Sequence, residues 1–410
     1  MLAMILLSLL LSPCARAQDL PAHARLTDEL AASLALSRSP EVRAARARAA
    51  AAQAAARLDS RPQDPRLTAM DLSGPGGRNE QIGVDFDLWS LIGYASRRRA
   101  GQAQSARAAA ELAESALDLE AEAKSAFYEV QAASASVALC RDRRREALAS
   151  AQWADAQSGA GDVARLDAQR LRADAEESAL AVDDGEARLE MARARLARLM
   201  RVPAEADWGD VGAPQPPAGV VPDAAALTTM ARARRPRRAA ALAAARAARA
   251  AAFDRGNRAF GDFRGGVAYE YDLGARLVGP SLQMNVPATG RGSLGMDQAR
   301  AQAEEADARA DEDDAEIEED VRALSSRLDS AARRARRLDA AVLPLRESIV
   351  AELSTRPGAR PTSRRELSAA KDQEISSRLR LIEARRDYWT ARAELERAVG
   401  GSLDATEVQP

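Results

Sequence analysis

The chain has 410 residues, 46% of them hydrophobic and only 3% aromatic, and its 59 basic residues nearly balance 61 acidic ones. This balance lacks the excess positive charge of a nucleic-acid-binding protein, so we expect no nucleic-acid partner. One histidine and two cysteines, Cys14 and Cys140, are too few for a centre of soft metal ligands. The single histidine, His23, lies close to the N-terminus expected after processing, so we expect no Ser/His/Asp or Cys/His catalytic site. We therefore expect no enzyme activity, no bound metal and no cofactor.

Residues 1–17 have the pattern of a secretory signal peptide. An apolar run over residues 1–12, too short to span a bilayer as a helix, precedes the small-residue site Ala15-Arg16-Ala17. Cleavage there makes Gln18 the first residue of the exported protein. Two alternatives stay open. The start codon lies upstream in one, since no Lys or Arg precedes the apolar run, and Cys14 carries a lipid in the other.

Long stretches without Gly or Pro predict unusually long helices, since these two residues end or bend helices. The expected helices cover about 95–158, 162–201, 295–354 and 362–399, and Gly185 alone interrupts the second. After the signal, no run approaches the roughly 20 apolar residues of a transmembrane helix, so we do not expect a helical inner-membrane transporter.

Short segments between the helices alternate apolar and polar residues with the period of a β-strand. The expected strands cover about 66–73, 81–89, 263–273 and 277–287, of which the first alternates least clearly.

The chain repeats itself at an offset of 196 residues, which places Pro40 on Pro236 and Gly83 on Gly279. Each half reads as a helix, two strands, a long helix, a turn and a second long helix. We therefore divide the chain into repeats over 18–209 and 223–401, a linker over 210–222 and a tail over 402–410.

Several motifs in this order resemble the TolC-type outer-membrane efflux factors. Ser39-Pro40-Glu41-Val42-Arg43-Ala44-Ala45 is similar to the motif that opens each half of those proteins, and Val286-Pro287-Ala288 to the end of a strand that leads into a helix. Gly161 followed by Arg165-Leu166-Asp167 resembles their helix-turn element. Tyr269-Glu270 with Gly279-Pro280-Ser281-Leu282 is most similar to the branch that accompanies heavy-metal and resistance-nodulation-division exporters.

The resemblance implies a mainly α fold with a membrane β-barrel part. The resemblance also implies a homotrimer, in which the three copies together form a 12-stranded β-barrel that continues as a periplasmic α-helical barrel. The implied function is the passive exit channel of a tripartite efflux system in the outer membrane of a Gram-negative bacterium. The implied partners are outer-membrane lipid, a periplasmic adaptor protein and an inner-membrane pump. The alternative is a periplasmic coiled-coil structural or adaptor protein without a membrane span.

Strand alternation and the predicted turns give three sets of candidate site residues. The side chains expected to face lipid are Ile82, Val84, Phe86, Leu88, Leu282, Met284 and Val286. The side chains expected to line the pore are Asp85, Asp87, Glu270 and Asp272. The residues expected to contact the adaptor are Gly159, Gly161, Arg356, Gly358, Arg360, Arg364 and Arg365.

Three further patterns have competing interpretations. Gly290 to Gly295 forms a G-x-G-x-x-G sequence, but no second strand follows at the distance that a nucleotide-binding unit requires, so we expect a turn. The acidic run Asp311 to Asp314 reads as a solvated helix face rather than a metal site, because no glycine-containing loop converges its carboxylates. Aromatic residues near the strand ends fit an interfacial girdle, with ordinary sheet packing as the alternative; they are Trp89, Tyr94, Tyr269 and Tyr271.

Overall fold

The computed structural model describes residues 26–74, 77–88, 93–161, 163–203, 208–209, 211–218, 223–258, 263–272, 275–284, 290–355 and 361–403. These residues fold into α-helices and one antiparallel sheet, which confirms the predicted fold class of long helices with a small β part. The helices are α1 (Asp28–Arg38), α2 (Pro40–Asp59), α3 (Tyr94–Ala160), α4 (Arg165–Met200), α5 (Ala224–Arg234), α6 (Pro236–Arg258), α7 (Arg291–Arg337), α8 (Leu343–Thr355) and α9 (Pro361–Val399). The strands are β1 (Arg66–Gly74), β2 (Gly77–Asp87), β3 (Phe263–Asp272) and β4 (Ala275–Met284).

Proline divides the helices that open the two halves, and each break is capped differently. Ser39 is extended, as the residue before proline prefers, and its hydroxyl accepts from the backbone N–H groups of Glu41 and Val42. At the equivalent break before Pro236, the backbone N–H of Arg237 donates instead to the Glu114 carboxylate, at 3.2 Å. The side chain of a second helix thus replaces a local cap.

The long helices pack closely through small residues. Helix α3 has 67 residues, about 100 Å at the usual helical rise. Gly185 does not end α4; a Cβ there would lie 3.2 Å from the Val137 side chain, so its lack of a side chain lets α3 and α4 approach.

One of the expected long helices is interrupted. Where we expected a single helix over 295–354, a five-residue π-helix, Leu338–Val342, separates α7 from α8. Pro344 has no backbone N–H, and its ring excludes normal helical geometry at the carbonyl of Ala340. The N–H of Leu343 therefore donates to the carbonyl of Leu338, five residues earlier.

By its contacts the chain divides into two compact units, and each unit draws on both halves of the sequence. The helical unit comprises Met1–Val42, Ala116–Arg234 and Glu319–Pro410. The sheet unit comprises Arg43–Ser115 and Arg235–Glu318. In the helical unit, the core packs Phe127, Tyr128, Leu196, Met200 and Trp208 together.

The described part of the linker, residues 211–218, is fixed to the helical unit by hydrogen bonds from side chains to its carbonyls. The Gln131 amide donates to Val211 at 2.7 Å, the Trp389 indole to Gln215 at 2.9 Å and the Tyr388 hydroxyl to Ala218 at 2.6 Å. These hydrogen bonds hold the segment on the helical unit without an element of its own, and the carbonyl of the buried Val211 requires such a partner.

The sheet has the strand order β1-β2-β3-β4, with every neighbouring pair antiparallel. Two hairpins, one from each half, thus join along β2 and β3. Strand β1, whose sequence alternates poorly, pairs with β2 along its whole length, from Arg66 opposite Asp85 to Gly74 opposite Gly77. Hydrogen bonding to β2 therefore makes this segment a strand even though its apolar and polar residues alternate poorly.

Candidate functional site

One face of the sheet is largely apolar, and its large side chains are exposed in the described part of the chain. In the pairing register, Val84 lies between Leu67 and Val267, and Ile82 lies between Ala69 and Tyr269. We call this surface the apolar face; its exposed large side chains are Leu67, Ile82, Val84, Phe86, Val267, Val278, Leu282 and Met284. A contiguous exposed apolar surface marks a site of contact with lipid or another protein.

The described residues among those predicted to face lipid lie on this surface or at its border. Ile82, Val84, Phe86, Leu282 and Met284 are exposed there, and Leu282 retains 72% of its accessible area. Leu88, just after β2, is half-buried and lies within 3.2 Å of the position that a Cβ on Gly265 would take. Val286 lies outside the described residues.

The opposite surface, which we call the polar face, carries the predicted pore carboxylates. Asp85 is directly opposite Arg66 on β1 and Gly266 on β3, and Gly266 is in turn opposite Ser281 on β4. The Ser281 hydroxyl donates to Asp85 Oδ1 at 2.7 Å, and Asp85 is only 4% exposed. A predicted pore-lining carboxylate is therefore buried and hydrogen-bonded across a neighbouring strand.

Gly266 makes this contact possible. A Cβ at this position would lie 2.0 Å from the Val84 carbonyl oxygen and 2.6 Å from Asp85 Oδ1. Any other residue would therefore displace the Asp85 side chain or the strand. The glycine pair within β3 is the sequence signal for such a close approach, although we did not use it in predicting the site.

Two arginines that sequence reasoning did not assign lie opposite predicted pore carboxylates. Arg66 occupies the position opposite Asp85, and Arg264 occupies the position opposite Asp87. Opposite residues on one face have Cβ atoms about 5 Å apart, so these charges act on one another. The end of the polar face next to the helices thus has basic residues at the register positions opposite its acidic ones.

Glu270 has different neighbours. It lies opposite Gln81 on β2 and Leu277 on β4, and its carboxylate accepts a 2.9 Å hydrogen bond from the Asn79 amide. Asp272 follows two residues along β3, opposite Asn79 in the register. Glu270 thus lies towards the turn end of the sheet, and the residues opposite it on β2 and β4 are uncharged.

Charged side chains also mark the turn end of the apolar face. Arg78 on β2 lies 3.0 Å from Asp71 and 2.8 Å from Glu80. All three are well exposed, so these ion pairs contribute little to stability in water. They bound the apolar surface on the side away from the helices.

The predicted aromatic positions are only partly described. Tyr94 is 40% exposed at the start of α3, and Tyr269 and Tyr271 are half-buried on the apolar face. Trp89 lies outside the described residues.

The described adaptor-contact candidates lie at the end of α3 and at the start of α9. Gly159 is in the last turn of α3, where a Cβ would meet nothing within 4 Å, and Gly161 has φ +85°. Arg364 and Arg365 belong to the start of α9. The other three predicted residues, Arg356, Gly358 and Arg360, lie outside the described residues.

The glycine-rich sequence at residues 290–295 leads into a helix. Gly290 has φ +68° immediately before α7, and its carbonyl accepts from the Ser293 hydroxyl, as expected of a turn into a helix. No group of three or more potential metal-ligating side chains occurs in the described part of the chain. No described helix is both long enough and apolar enough to cross a membrane.

The acidic run is not the wholly solvated face that we expected. Arg237 on α6 lies 2.9 Å from Asp313 and 2.6 Å from Glu316. Arg238, the next residue, lies 2.5 Å from Asp314. Part of the run therefore joins α7 to α6 within the sheet unit, because the arginine-rich start of α6 packs against it.

No protein-family model and no curated protein matches the chain. Solved structures match it over nearly its whole length. The outer-membrane channel OprN is 20% identical, with a TM-score of 0.76 over 92% of this chain and 90% of OprN. The outer-membrane protein VceC from Vibrio cholerae is 17% identical, with a TM-score of 0.73 over 92% and 96%. The MtrE outer-membrane channel of Neisseria gonorrhoeae is 17% identical, with a TM-score of 0.71 over 92% and 89%. The chain therefore has the fold of these outer-membrane channels.

Proposed function

We propose that this chain is the outer-membrane channel subunit of a tripartite efflux system in a Gram-negative bacterium, and that it conducts solutes passively. The observation that carries the proposal is the sheet, because most of its exposed large apolar side chains lie on the apolar face and the predicted pore carboxylates lie on the other. That polar face also carries the exposed Met70, Leu72 and Leu277. Lipid covers the first face and the water-filled pore lies along the second. A periplasmic coiled-coil protein, the rival function, has no use for such an apolar surface.

The edges of the sheet support assembly into a closed barrel. Strands β1 and β4 are each paired on one side only in the described chain. Unpaired backbone groups at these edges would be costly in lipid, and only closure removes them. Four strands are too few for the smallest known barrels, which have about eight. We therefore propose a homotrimer, in which β4 of each copy pairs with β1 of the next.

The energy and the choice of substrate come from partners in this proposal. An inner-membrane pump of the resistance-nodulation-division or a related type drives transport, and a periplasmic adaptor joins the pump to the channel. The adaptor contacts the segment between α3 and α4 and the segment before α9, because in each half the chain reaches that segment only after a long helical stretch that follows the strands. The chain itself carries out no chemical reaction and needs no cofactor or metal.

The channel is tested by purifying the protein in detergent, measuring its mass by native mass spectrometry and recording currents in planar bilayers. We expect a trimer that conducts ions. A monomer that stays monodisperse without detergent and produces no current would contradict the proposal and favour the periplasmic coiled-coil protein.

The face assignment has a matched pair of variants on one strand. Val84→Arg places a cation on the apolar face, where it costs about 2–4 kcal/mol at the middle of the bilayer. Gln81→Arg places the same cation on the polar face. We expect the first variant to lose insertion into the outer membrane and the second to retain it. Equal insertion of both variants would contradict the assignment.

Adaptor contact is tested by reversing the charges of Arg356, Arg360, Arg364 and Arg365 together. We expect weaker adaptor capture and lower resistance to the exported compound, with trimer assembly unchanged. Reversal of the exposed Arg336 and Arg337 in α7 is the control, since they lie far along the chain from either turn. Unchanged capture in the first variant would argue against this docking site.

A further inference from the structure

We propose that Glu270, rather than Asp85 or Asp87, sets the charge selectivity of the pore. This inference rests on the proposed channel function and assigns different roles to carboxylates that share the polar face. In a trimer, the three copies of Glu270 form a ring at one height, towards the turn end of the barrel.

Asp85 is a structural group in this account. Its carboxylate is 4% exposed, accepts from Ser281 and lies opposite Arg66. Further copies of the chain can only cover it more. A carboxylate that meets almost no water, with a cation opposite, adds little to the field that a passing ion experiences.

Asp87 is compensated by its opposite neighbour. Arg264 lies directly across from it on the same face. With Cβ atoms about 5 Å apart, the two charges lie within the screening length of about 10 Å at 0.1 M salt. An ion in the lumen therefore experiences this row as nearly neutral.

Glu270 has no such compensation at its neighbouring positions in the sheet. Its opposite residues are Gln81 and Leu277, and the Asn79 amide that binds it is uncharged. The nearest arginine position on the polar face, Arg66, is in the row of Gly266, four residues away along β3. That separation is about 13 Å, beyond the screening length at 0.1 M salt. A ring of such carboxylates concentrates cations and repels anions.

The experiment compares reversal potentials of single channels under a potassium chloride gradient. We expect the native pore to prefer potassium, and Glu270→Gln to lower the potassium-to-chloride permeability ratio by about twofold or more near 0.1 M salt. Asp85→Asn and Asp87→Asn should leave the ratio nearly unchanged. Asp85→Asn also keeps an oxygen that can accept from Ser281, so it should assemble.

Removing a compensating cation gives the converse test. Arg264→Gln leaves Asp87 without its opposite charge, so the permeability ratio should rise. The double variant Arg264→Gln with Asp87→Asn should return it to the native value. Trimer mass and single-channel conductance are measured for every variant, so that a change in selectivity is not mistaken for failed assembly.

Three results would overturn the inference: a native pore without cation preference, a ratio unaffected by Glu270→Gln, or an equally large effect of Asp85→Asn or Asp87→Asn. Failure of the channel function itself is distinguishable, because the native protein would then carry no current at all.

Discussion

The Ser281 hydroxyl donates a 2.7 Å hydrogen bond to Asp85, and the two residues occupy equivalent positions in the two halves of the chain, 196 residues apart. The bond crosses β3 at Gly266, which lies opposite both residues. It thus joins the second strand of one hairpin to the second strand of the other. A contact of this kind fixes the register of both hairpins, since a shift by one residue would move Asp85 to the other face.

The first prediction concerns Gly266. Gly266→Ala should disrupt the sheet, because the new methyl group would overlap the Val84 carbonyl oxygen. Overpacking of a protein core usually costs about 1–3 kcal/mol, and we expect a loss of stability at least that large here. Gly279→Ala is the control, since a Cβ there meets nothing within 4 Å. The measurement is the temperature at which the detergent-extracted oligomer dissociates. Equal temperatures for the two variants would refute the close approach.

Two glycines of α3 give a second prediction. A Cβ on Gly101 would lie 2.9 Å from Ala56 Cα, whereas one on Gly159 would meet nothing within 4 Å. Alanine favours a helix over glycine by up to about 1 kcal/mol. Gly159→Ala should therefore be neutral or stabilising, and Gly101→Ala destabilising despite the same gain in propensity. Thermal unfolding followed by circular dichroism separates them; stabilisation by both would mean that α2 and α3 do not cross closely at Ala56.

Gln131 provides a test of the linker attachment. Gln131→Ala removes the donor to the Val211 carbonyl and should cost about 1–3 kcal/mol, the usual penalty for an unsatisfied buried group. Gln169→Ala in α4 is the control, because Gln169 is exposed. Denaturant unfolding measures both. A loss no larger than that of the control would indicate that the linker does not depend on this bond.

The fourth prediction is a pH dependence at Tyr128. Burial raises the pKa of its hydroxyl, and the hydrogen bond to Asp28 at 2.7 Å raises it further above the ordinary value of 10.0. The unfolded chain then loses this proton at a lower pH than the folded chain. The associated stability is fully present below pH 10.0 and is lost as the pH rises towards the folded pKa.

Tyr128→Phe lacks this ionisation, so its unfolding free energy should fall less than that of the native protein between pH 8 and pH 11. Denaturant unfolding at the two pH values provides the comparison. Tyr94→Phe is the control, because Tyr94 is 40% exposed and far less constrained by burial. Parallel declines in the native protein and Tyr128→Phe would contradict the buried hydrogen bond.

Much of the sheet could be predicted from local patterns. The alternation around Ile82 and Val84 predicts which residues share a face, and the pairing register places those residues on the apolar face. The proline signals at Pro40 and Pro236 mark the helix breaks, since proline restricts its own and the preceding residue wherever it occurs. The π-helix was missed, although Pro344 was a visible signal, because a proline inside an apolar helical run has several structural outcomes.

The sequence by itself determined most of the long helices, the four short strands, the duplication and the division of β2 into an apolar and a polar side, because all of these follow from residue types at fixed short spacings. Only the tertiary structure decided which carboxylates on the polar side are compensated. That depends on which residue of a neighbouring strand lies opposite, as with Asp87 and Arg264, which are far apart in the sequence. Alternation specifies a face but not a partner, so Asp85 and Glu270 look equivalent in the sequence. They differ once strand pairing places Arg66 and Gly266 beside one and Gln81 and Leu277 beside the other.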